Sequence, residues 1–295
     1  MTLRSETRNL LKGLAFISPW IIGFLAFTLV PIGMSLYYSF SDYSLLQSPA
    51  PIGLGNYREL ASDPTYWQVL RNTAYYAVLA LPLGLLIALG MALLLNVKIR
   101  GQTIYRTLIF LPSLVPAVAA AMLWLWLFNS KLGLINFALR KLGMDDPPGW
   151  LVDARFALPA LVLMSFWGVG NTVVIFLAGL QNVPRDLYEA AELDGAGKAR
   201  SLWHVTLPSI SPVIFFNLIM GIIGTLQVFT LPFIMTPGGQ PAHATYFYAM
   251  YLYDNAFPYV RMGYASAMAW IQLLIILALT AVAFWSSKRW VHYST

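Results

Sequence analysis

Residues 189–212 read EAAELDGAGKARSLWHVTLPSISP, a charged stretch rich in Ala and Gly between two long apolar runs. Its chemistry is that of a docking surface. Glu189 offers a charge to a donor on another surface, and Ala190 and Ala191 keep the neighbouring face flat. Leu187, Ala190 and Ala191 recur at three and four residues, so a helix puts them on one face. Pro184 suits a first helical turn, where its missing N–H costs nothing. Asp186 and Glu189 then lie toward the positive helix end. Asp194, Gly195 and Gly197 end the helix and turn the chain. A second short stretch, with Leu202 and Val205 on one side, leads to Leu207 and Pro208. A helix and turn of this kind fits a groove in a partner protein. An amphipathic loop lying on lipid is the alternative reading.

A second group of residues offers hydrogen bonds without fixed charge. Trp167, Asn171 and Thr172 fall in one apolar run, Asn217, Thr225 and Gln227 in the next, and Gln272 in the last. Trp167 and Asn171 are one helical turn apart and can share a face. Such residues suit a neutral hydroxylated solute, and they equally suit hydrogen bonds between membrane helices. Trp124, Trp126 and Trp270 fit interface belts or packing.

Other chemistry is excluded. There is no cysteine, hence no disulfide and no thiolate. His204, His243 and His292 fall outside the apolar runs, so no histidine-based nucleophile or metal cluster forms at membrane depth. A serine–lysine pair lacks its lysine there. Gly197-Lys198 is the nearest fragment of a phosphate-binding loop, but Glu192 stands where its first Gly belongs and Ala199 where Ser or Thr is needed. No catalytic residue, metal or cofactor is expected in this chain.

The elements that position these residues are written in apolar runs. The 295-residue chain is 59% hydrophobic and 10% charged, against about 25% charged in an ordinary soluble domain. Six stretches carry no Asp, Glu, Lys or Arg: residues 14–40, 72–95, 107–128, 157–180, 209–232 and 265–287. Each holds 22 to 27 residues, and about 20 helical residues cross a hydrocarbon core. The expected fold is all-α and integral to the membrane, with six transmembrane helices, because lipid leaves exposed backbone groups no partner. The first run follows Arg4, Arg8 and Lys12 as a signal peptide would, but it is too long for one and reads as a retained span.

With the N-terminus inside, eleven of the 18 basic residues fall in about sixty inner positions and seven in about ninety outer ones. The inner set includes Arg4, Arg8, Lys98, Arg106, Arg185, Lys198 and Arg200. That density predicts both termini in the cytoplasm, with residues 1–13 and 288–295 as tails, 14–287 as one membrane domain, and 181–208 as the longest inner loop. Basic residues scattered in this way match membrane loops and do not suggest nucleic acid. Pro82, Pro112, Pro116, Gly221 and Gly224 lie inside the spans, tolerated there or bending a pathway. The uncharged spans also argue against an ion-coupled secondary transporter, which keeps an ionisable group in the membrane.

The spacing of the docking stretch resembles the EAA motif of ABC importer permeases: E-A-A, three residues, G, nine residues, I-x-L-P. Here Glu189, Ala190, Ala191 and Gly195 are followed by Val205, Leu207 and Pro208, with Val for Ile the one departure. The resemblance extends to the six-span carbohydrate permeases of the maltose and multiple-sugar type, through GLGNYREL from Gly53, RNTAYY from Arg71, LFNSKLGLINFAL from Leu127, LQVFTLPFIMTPGG from Leu226 and GYASAMAW from Gly263. Gln240 and Thr230 depart from that group, which usually has Pro and frequently Asp there. The resemblance implies a type I importer permease in the cytoplasmic membrane, whose residues 181–208, with Asp194 among the contacts, form a coupling helix. It implies two ATPase subunits, which bind the ATP and Mg, a second homologous permease subunit and an extracytoplasmic solute-binding protein. It implies a mono- or oligosaccharide as cargo, with a polyol or glycerol phosphate as the alternative. It favours Trp167, Asn171, Thr172, Thr225 and Gln227 as substrate contacts.

Overall fold

The structure, a computed structural model, describes residues 2–97 and 100–292; the side chains of residues 2–6 and of Arg8 are outside the described set. Of the residues counted above for orientation, the Arg4 and Arg8 side chains and the whole of Lys98 therefore lie outside the described set, as does the end of the expected tail at 293–295. The described chain is almost entirely helical. Among these residues the strands are one short antiparallel pair, β1 (Ser41–Asp42) with β2 (Ala50–Pro51).

Helices α1 (Thr2–Phe24) and α2 (Val30–Ser39) join through a π turn at Leu25–Leu29. After α3 (Gly55–Ser62) comes α4 (Pro64–Asn96), 33 residues running unbroken through Pro82. Helices α5 (Gln102–Phe110) and α6 (Ala117–Leu127) are parted by a 3-10 turn at Leu111–Leu114. Next come α7 (Leu134–Lys141), α8 (Ala154–Ser165) and α9 (Gly170–Gln181), then the short α10 (Arg185–Leu193), α11 (Lys198–Ser201) and α12 (Leu207–Ser209). The chain continues with α13 (Ser211–Leu226), α14 (Thr230–Met235), α15 (Tyr248–Ala256) and α16 (Met262–Ser287). Among the described residues four helical stretches are long and apolar enough to cross a membrane: Asn9–Ser39, Pro64–Asn96, Ser211–Met235 and Met262–Ser287.

The two remaining expected spans are not straight. The one expected at 107–128 is a pair bent by 97°, and the one at 157–180 a pair bent by 47°. The larger bend follows from Pro116. A proline pushes the preceding residue out of the helical region, and Val115 is extended at φ −71°, ψ 126°. The smaller bend falls at Gly168, Val169 and Gly170. Pro82, Gly221 and Gly224, by contrast, sit inside unbroken helices.

Near three of the helix breaks a hydroxyl donates to a carbonyl of the preceding turn. Ser113 Oγ donates to Phe110 O at 2.6 Å, Ser165 Oγ to Val162 O at 2.6 Å, and Thr225 Oγ1 to Gly221 O at 2.7 Å. Such bonds satisfy the hydroxyl within its own helix, where lipid offers it no partner.

The chain divides into two compact units. In the first (1–63 and 252–273), buried Asn56 donates to Ser39 O and Ser41 O, both at 2.9 Å. Gly263 N donates to Tyr43 O at 3.0 Å, and a Cβ at Gly263 would overlap the Ser41 carbonyl. Tyr264 donates its hydroxyl to Asp63 at 2.6 Å, and Arg261 pairs with Glu59. The segments beginning at Gly53 and Gly263 thus build one structure. In the second unit (64–251 and 274–295), the core at one end of the helices joins Ala88, Ala92 and Leu95 of α4 to Val173, Phe176, Leu177 and Leu180 of α9, with Val183 and Ile210. Toward the opposite end of α4, Asn72 Nδ2 donates to His243 O (2.8 Å) and Tyr246 O (3.1 Å), and Thr73 Oγ1 accepts from Tyr248 N (2.9 Å).

The loop between α6 and α8 has its own centre. Asn136, fully buried, donates to Ser130 O at 3.1 Å and Pro148 O at 3.0 Å, and accepts from Trp150 Nε1 at 2.7 Å. Asp153 caps α8 by accepting from Arg155 N. Its side-chain bonds to Arg155 hold its pKa below the ordinary carboxylate value. Asn136→Ala removes three bonds at once and leaves buried partners unsatisfied, at about 1–3 kcal/mol each before relaxation. The expected outcome is a loss of about 2–4 kcal/mol, read as a lowered thermal midpoint in detergent, with Trp150 fluorescence shifted to the red.

Candidate functional site

The docking stretch folds as the sequence suggests. Pro184 stands at the N-terminal cap of α10, extended at ψ 136°, and Asp186 lies in its first turn. At the far end Gly195 adopts φ +75°. Ala196 N donates to Ala191 O at 2.8 Å and Gly195 N to Glu192 O at 3.0 Å. These are the two bonds of a Schellman turn, which needs a residue in the left-handed region between them. Gly197 then caps α11, and a π turn at Leu202–Thr206 leads into α12.

The root of this segment is fixed and its tip is not covered. Val183 and Ile210 are buried in the core with the ends of α4 and α9, and Tyr188 and Leu207 pack against them. The Tyr188 and Thr206 hydroxyls share a hydrogen bond at 3.0 Å. Ser209 donates to Val205 O and Ser211 to Pro208 O, both at 2.6 Å. Glu189, Ala190, Asp194 and Gly195 are exposed, and Ala191, Val205, Leu207 and Pro208 half-buried. Leu193 is 89% exposed and Trp203 68%. Among the described residues neither Glu189 nor Asp194 has an ion-pair partner.

A second feature lies midway along the helices of the same unit. A cavity of about 280 Å³ opens between α4, the α8–α9 break and α13, near the lower end of the range for small-molecule sites, about 300–1,000 Å³. Its polar lining is Tyr76, Ser165, Thr172, Asn217 and Thr225, and the lining carries no charged side chain. Asn217 Nδ2 donates to Val213 O at 2.9 Å and Thr225 Oγ1 to Gly221 O, so their helices absorb these donors. Asn217 Oδ1 and the hydroxyl lone pairs still accept. A solute rich in O–H groups can donate to all of them.

Of the residues singled out from sequence, Thr172, Asn217 and Thr225 meet here. Trp167, Asn171 and Gln227 are not in this lining. Trp167 sits in the 3-10 turn before the break and packs edge-on against Trp124, with ring centroids 6.2 Å apart. Asn171 follows the break and is exposed, so the shared face expected for Trp167 and Asn171 is interrupted. Gln227, just past α13, is also exposed. Tyr76 and Ser165, both on this lining, were not anticipated. The available signal was the run of polar residues Asn72, Thr73 and Tyr76 along one side of an apolar helix.

Long apolar helices, proline-directed bends, an uncharged polar cavity and an uncovered charged segment are the features to be matched. Residues 80–292 match the model of the "binding-protein-dependent transport system inner membrane component" family, and the chain belongs to that family. It is 44% identical over 295 residues to a probable ABC transporter permease protein, YesP, of Bacillus subtilis (99% of this chain, 95% of the relative). It is 32% identical over 284 residues to the lactose transport system permease LacF of Rhizobium radiobacter (94% of each). It is 34% identical over 282 residues to the sn-glycerol-3-phosphate permease UgpA of Brucella abortus (94% and 95%). The fold matches a chain of a bacterial alginate ABC transporter solved with an alginate pentasaccharide-bound periplasmic protein, with TM-score 0.87, 23% identity, and 100% and 99% of the two chains covered. The chain is thus an ABC transporter permease, a transport component of the membrane rather than a catalyst.

The left-handed residue in the Schellman turn gives a local test. Nothing lies within 4 Å of a Cβ built on Gly195, so a substitution there acts through backbone conformation alone. Gly195→Val should cost about 1–2 kcal/mol and fray the end of α10. Faster amide exchange at Ala191 to Ala196, with α4 unchanged, is the expected readout.

Proposed function

We propose that this chain is the membrane-spanning subunit of an ATP-driven importer of a mono- or oligosaccharide, working by alternating access. The observation that carries the reading is the docking segment: the Glu189 to Pro208 pattern on a short helix closed by Gly195, with Leu187, Leu193 and Trp203 uncovered. Hydrated apolar groups of that size favour a protein partner. On this reading the four long helices and two bent pairs make six spans, both termini face the cytoplasm, and residues 181–208 dock on a separate ATPase. Two ATPase copies, a second related permease and an extracytoplasmic binding protein complete the machine. Closure of the ATPase dimer on ATP would draw the coupling helices together and turn the cavity outward.

The uncharged lining favours a neutral carbohydrate. A phosphate ester would call for Arg or Lys, and no cation lines the cavity. That weighs against glycerol phosphate despite the UgpA relative; the lactose permease relative agrees with a sugar. Asn171 and Gln227 are exposed on apolar helices, where lipid would penalise them. We assign them, with Trp167, Thr172, Thr225 and Asn217, to a pathway shared with the second permease.

Glu189→Lys tests the coupling. Losing one partner of a buried charged hydrogen bond at an interface costs about 2–5 kcal/mol. The variant should reach the membrane but release the ATPase in pull-down and lose uptake. Binding and uptake at wild-type level would return the segment to the lipid surface, where a lysine suits an anionic leaflet.

Asn217→Ala or Thr172→Val tests the cavity. A sugar hydroxyl left without its partner costs about 1–3 kcal/mol, about 5- to 150-fold in affinity. Uptake should weaken by that factor while basal ATPase activity of the assembled transporter persists. Unchanged kinetics in both variants would move the substrate elsewhere.

A further inference from the structure

Two cavities away from the sugar site meet at the end of the helices beside α10. One, about 330 Å³, is lined by Asn96, Gln102, Arg106, Gln181, Arg185 and Tyr188, with Leu180 and Val183. The other, about 250 Å³, runs along α5 and α9 between Leu95, Ile109, Phe110, Val173, Val174 and Leu177. Arg106 and Gln181 line both. The polar cavity sits where α4 and α9 end and α5 begins; the apolar one leads from there toward the middle of the spans.

The charge is one-sided. Neither lining contains Asp or Glu. Among the described residues neither the Arg106 nor the Arg185 guanidinium has an ion-pair partner. Among the described residues Arg106 Nε is buried with no hydrogen-bond partner, and an unsatisfied buried donor is costly. The neighbouring amide is otherwise engaged: Gln102 Nε2 donates to Leu95 O at 2.6 Å and Val97 O at 3.2 Å, tying off the end of α4.

A cationic polar chamber at a helix end, opening on an apolar groove that points inward, has the profile of a phospholipid. We propose that this chain holds one anionic phospholipid, its phosphate between Arg106 and Arg185 and an acyl chain along the groove of Val173, Val174 and Leu177. Basic pockets between membrane helices recognise such headgroups, each arginine adding about 1 kcal/mol, about fivefold in affinity. The site lies at the root of α10, where Tyr188 and Val183 contribute to the same wall. Bound lipid would brace the segment that the preceding reading docks on the ATPase. That bracing, and the cytoplasmic leaflet as the source of the lipid, rest on that reading; retention of the lipid does not.

The test uses the assembled transporter, purified into nanodiscs of phosphatidylglycerol or phosphatidylcholine and examined by native mass spectrometry. One phosphatidylglycerol per copy of this chain should survive, and phosphatidylcholine should not. Arg106→Gln with Arg185→Gln should reduce retention about 25-fold, while Lys131→Gln, in the loop before α7, leaves it unchanged. Val174→Trp fills the groove without altering charge and should also expel the lipid from an intact complex. That variant and the comparison of the two lipids decide the matter if the double variant fails to assemble. Equal retention of both lipids, no lipid in the wild-type complex, or unaltered retention in the Val174 variant would overturn the proposal. Displacement by millimolar inorganic phosphate would overturn it too, since a free anion site needs no acyl groove.

Discussion

A bilayer offers no hydrogen-bond partner to a peptide group, and the organisation of this chain follows from that constraint. Long uninterrupted helices are its direct result. The informative places are where the helices stop: before Pro116, around Val169, and at residues 227–229. Near each a serine or threonine hydroxyl donates to a carbonyl of the preceding turn. The same groups then face space that a broken helix opens. Ser165 and Thr225 serve both purposes, bonding within their own helices and lining the cavity. Part of the polarity of this membrane domain thus gathers where a helix is interrupted, while Tyr76 and Asn217 bring the rest to the same cavity from unbroken helices.

Lipid also removes the hydrophobic incentive for helices to associate, so close packing must supply it. The contacts between α4, α9 and α13 use small residues to that end. Ala88 and Ala92 are fully buried. A Cβ on Gly221 would overlap Leu81 of α4, and one on Gly179 would press on Val213 at 2.9 Å. Gly170 lies against the backbone of Ile109 and Phe110, where a side chain would not fit. Gly221, which in isolation suggests a helix breaker, proves to be a contact point, a distinction set by the neighbouring helix.

Much of this was legible from residue order. Charge-free runs marked the long apolar helices, and the residues around Glu189 marked a short helix ending at Gly195, because hydropathy and local turn chemistry act over a few residues. Gly195 adopts the left-handed conformation its position after Asp194 implied. Other features depend on what meets in space. The faces of Trp167 and Asn171 were inferred from a continuous 3.6-residue period, and the period stops at Val169. No local pattern announced a bend of 97°, only that Pro112 and Pro116 allowed one. The bonds from Asn136 to residues on both sides of it, and the junction of residues 53–60 with 263, rest on chain folding. Arg106 was visible as the edge of a span; its two cavities were not.

Helix α4 has a mechanical consequence. Thirty-three residues at about 1.5 Å each make a rod of about 50 Å, well beyond the hydrocarbon thickness of about 30 Å. Toward one end it is pinned by Asn72 and Thr73 to residues 243–248, and at the other it is wedged by Ala92 and Leu95 into the base of the docking segment. The helix runs on through Pro82, whose missing N–H takes only one bond from its ladder. A displacement of a few ångströms at the base would therefore reach the far end as tilt, like that of a seesaw plank, with Pro82 as the one point where the plank can flex.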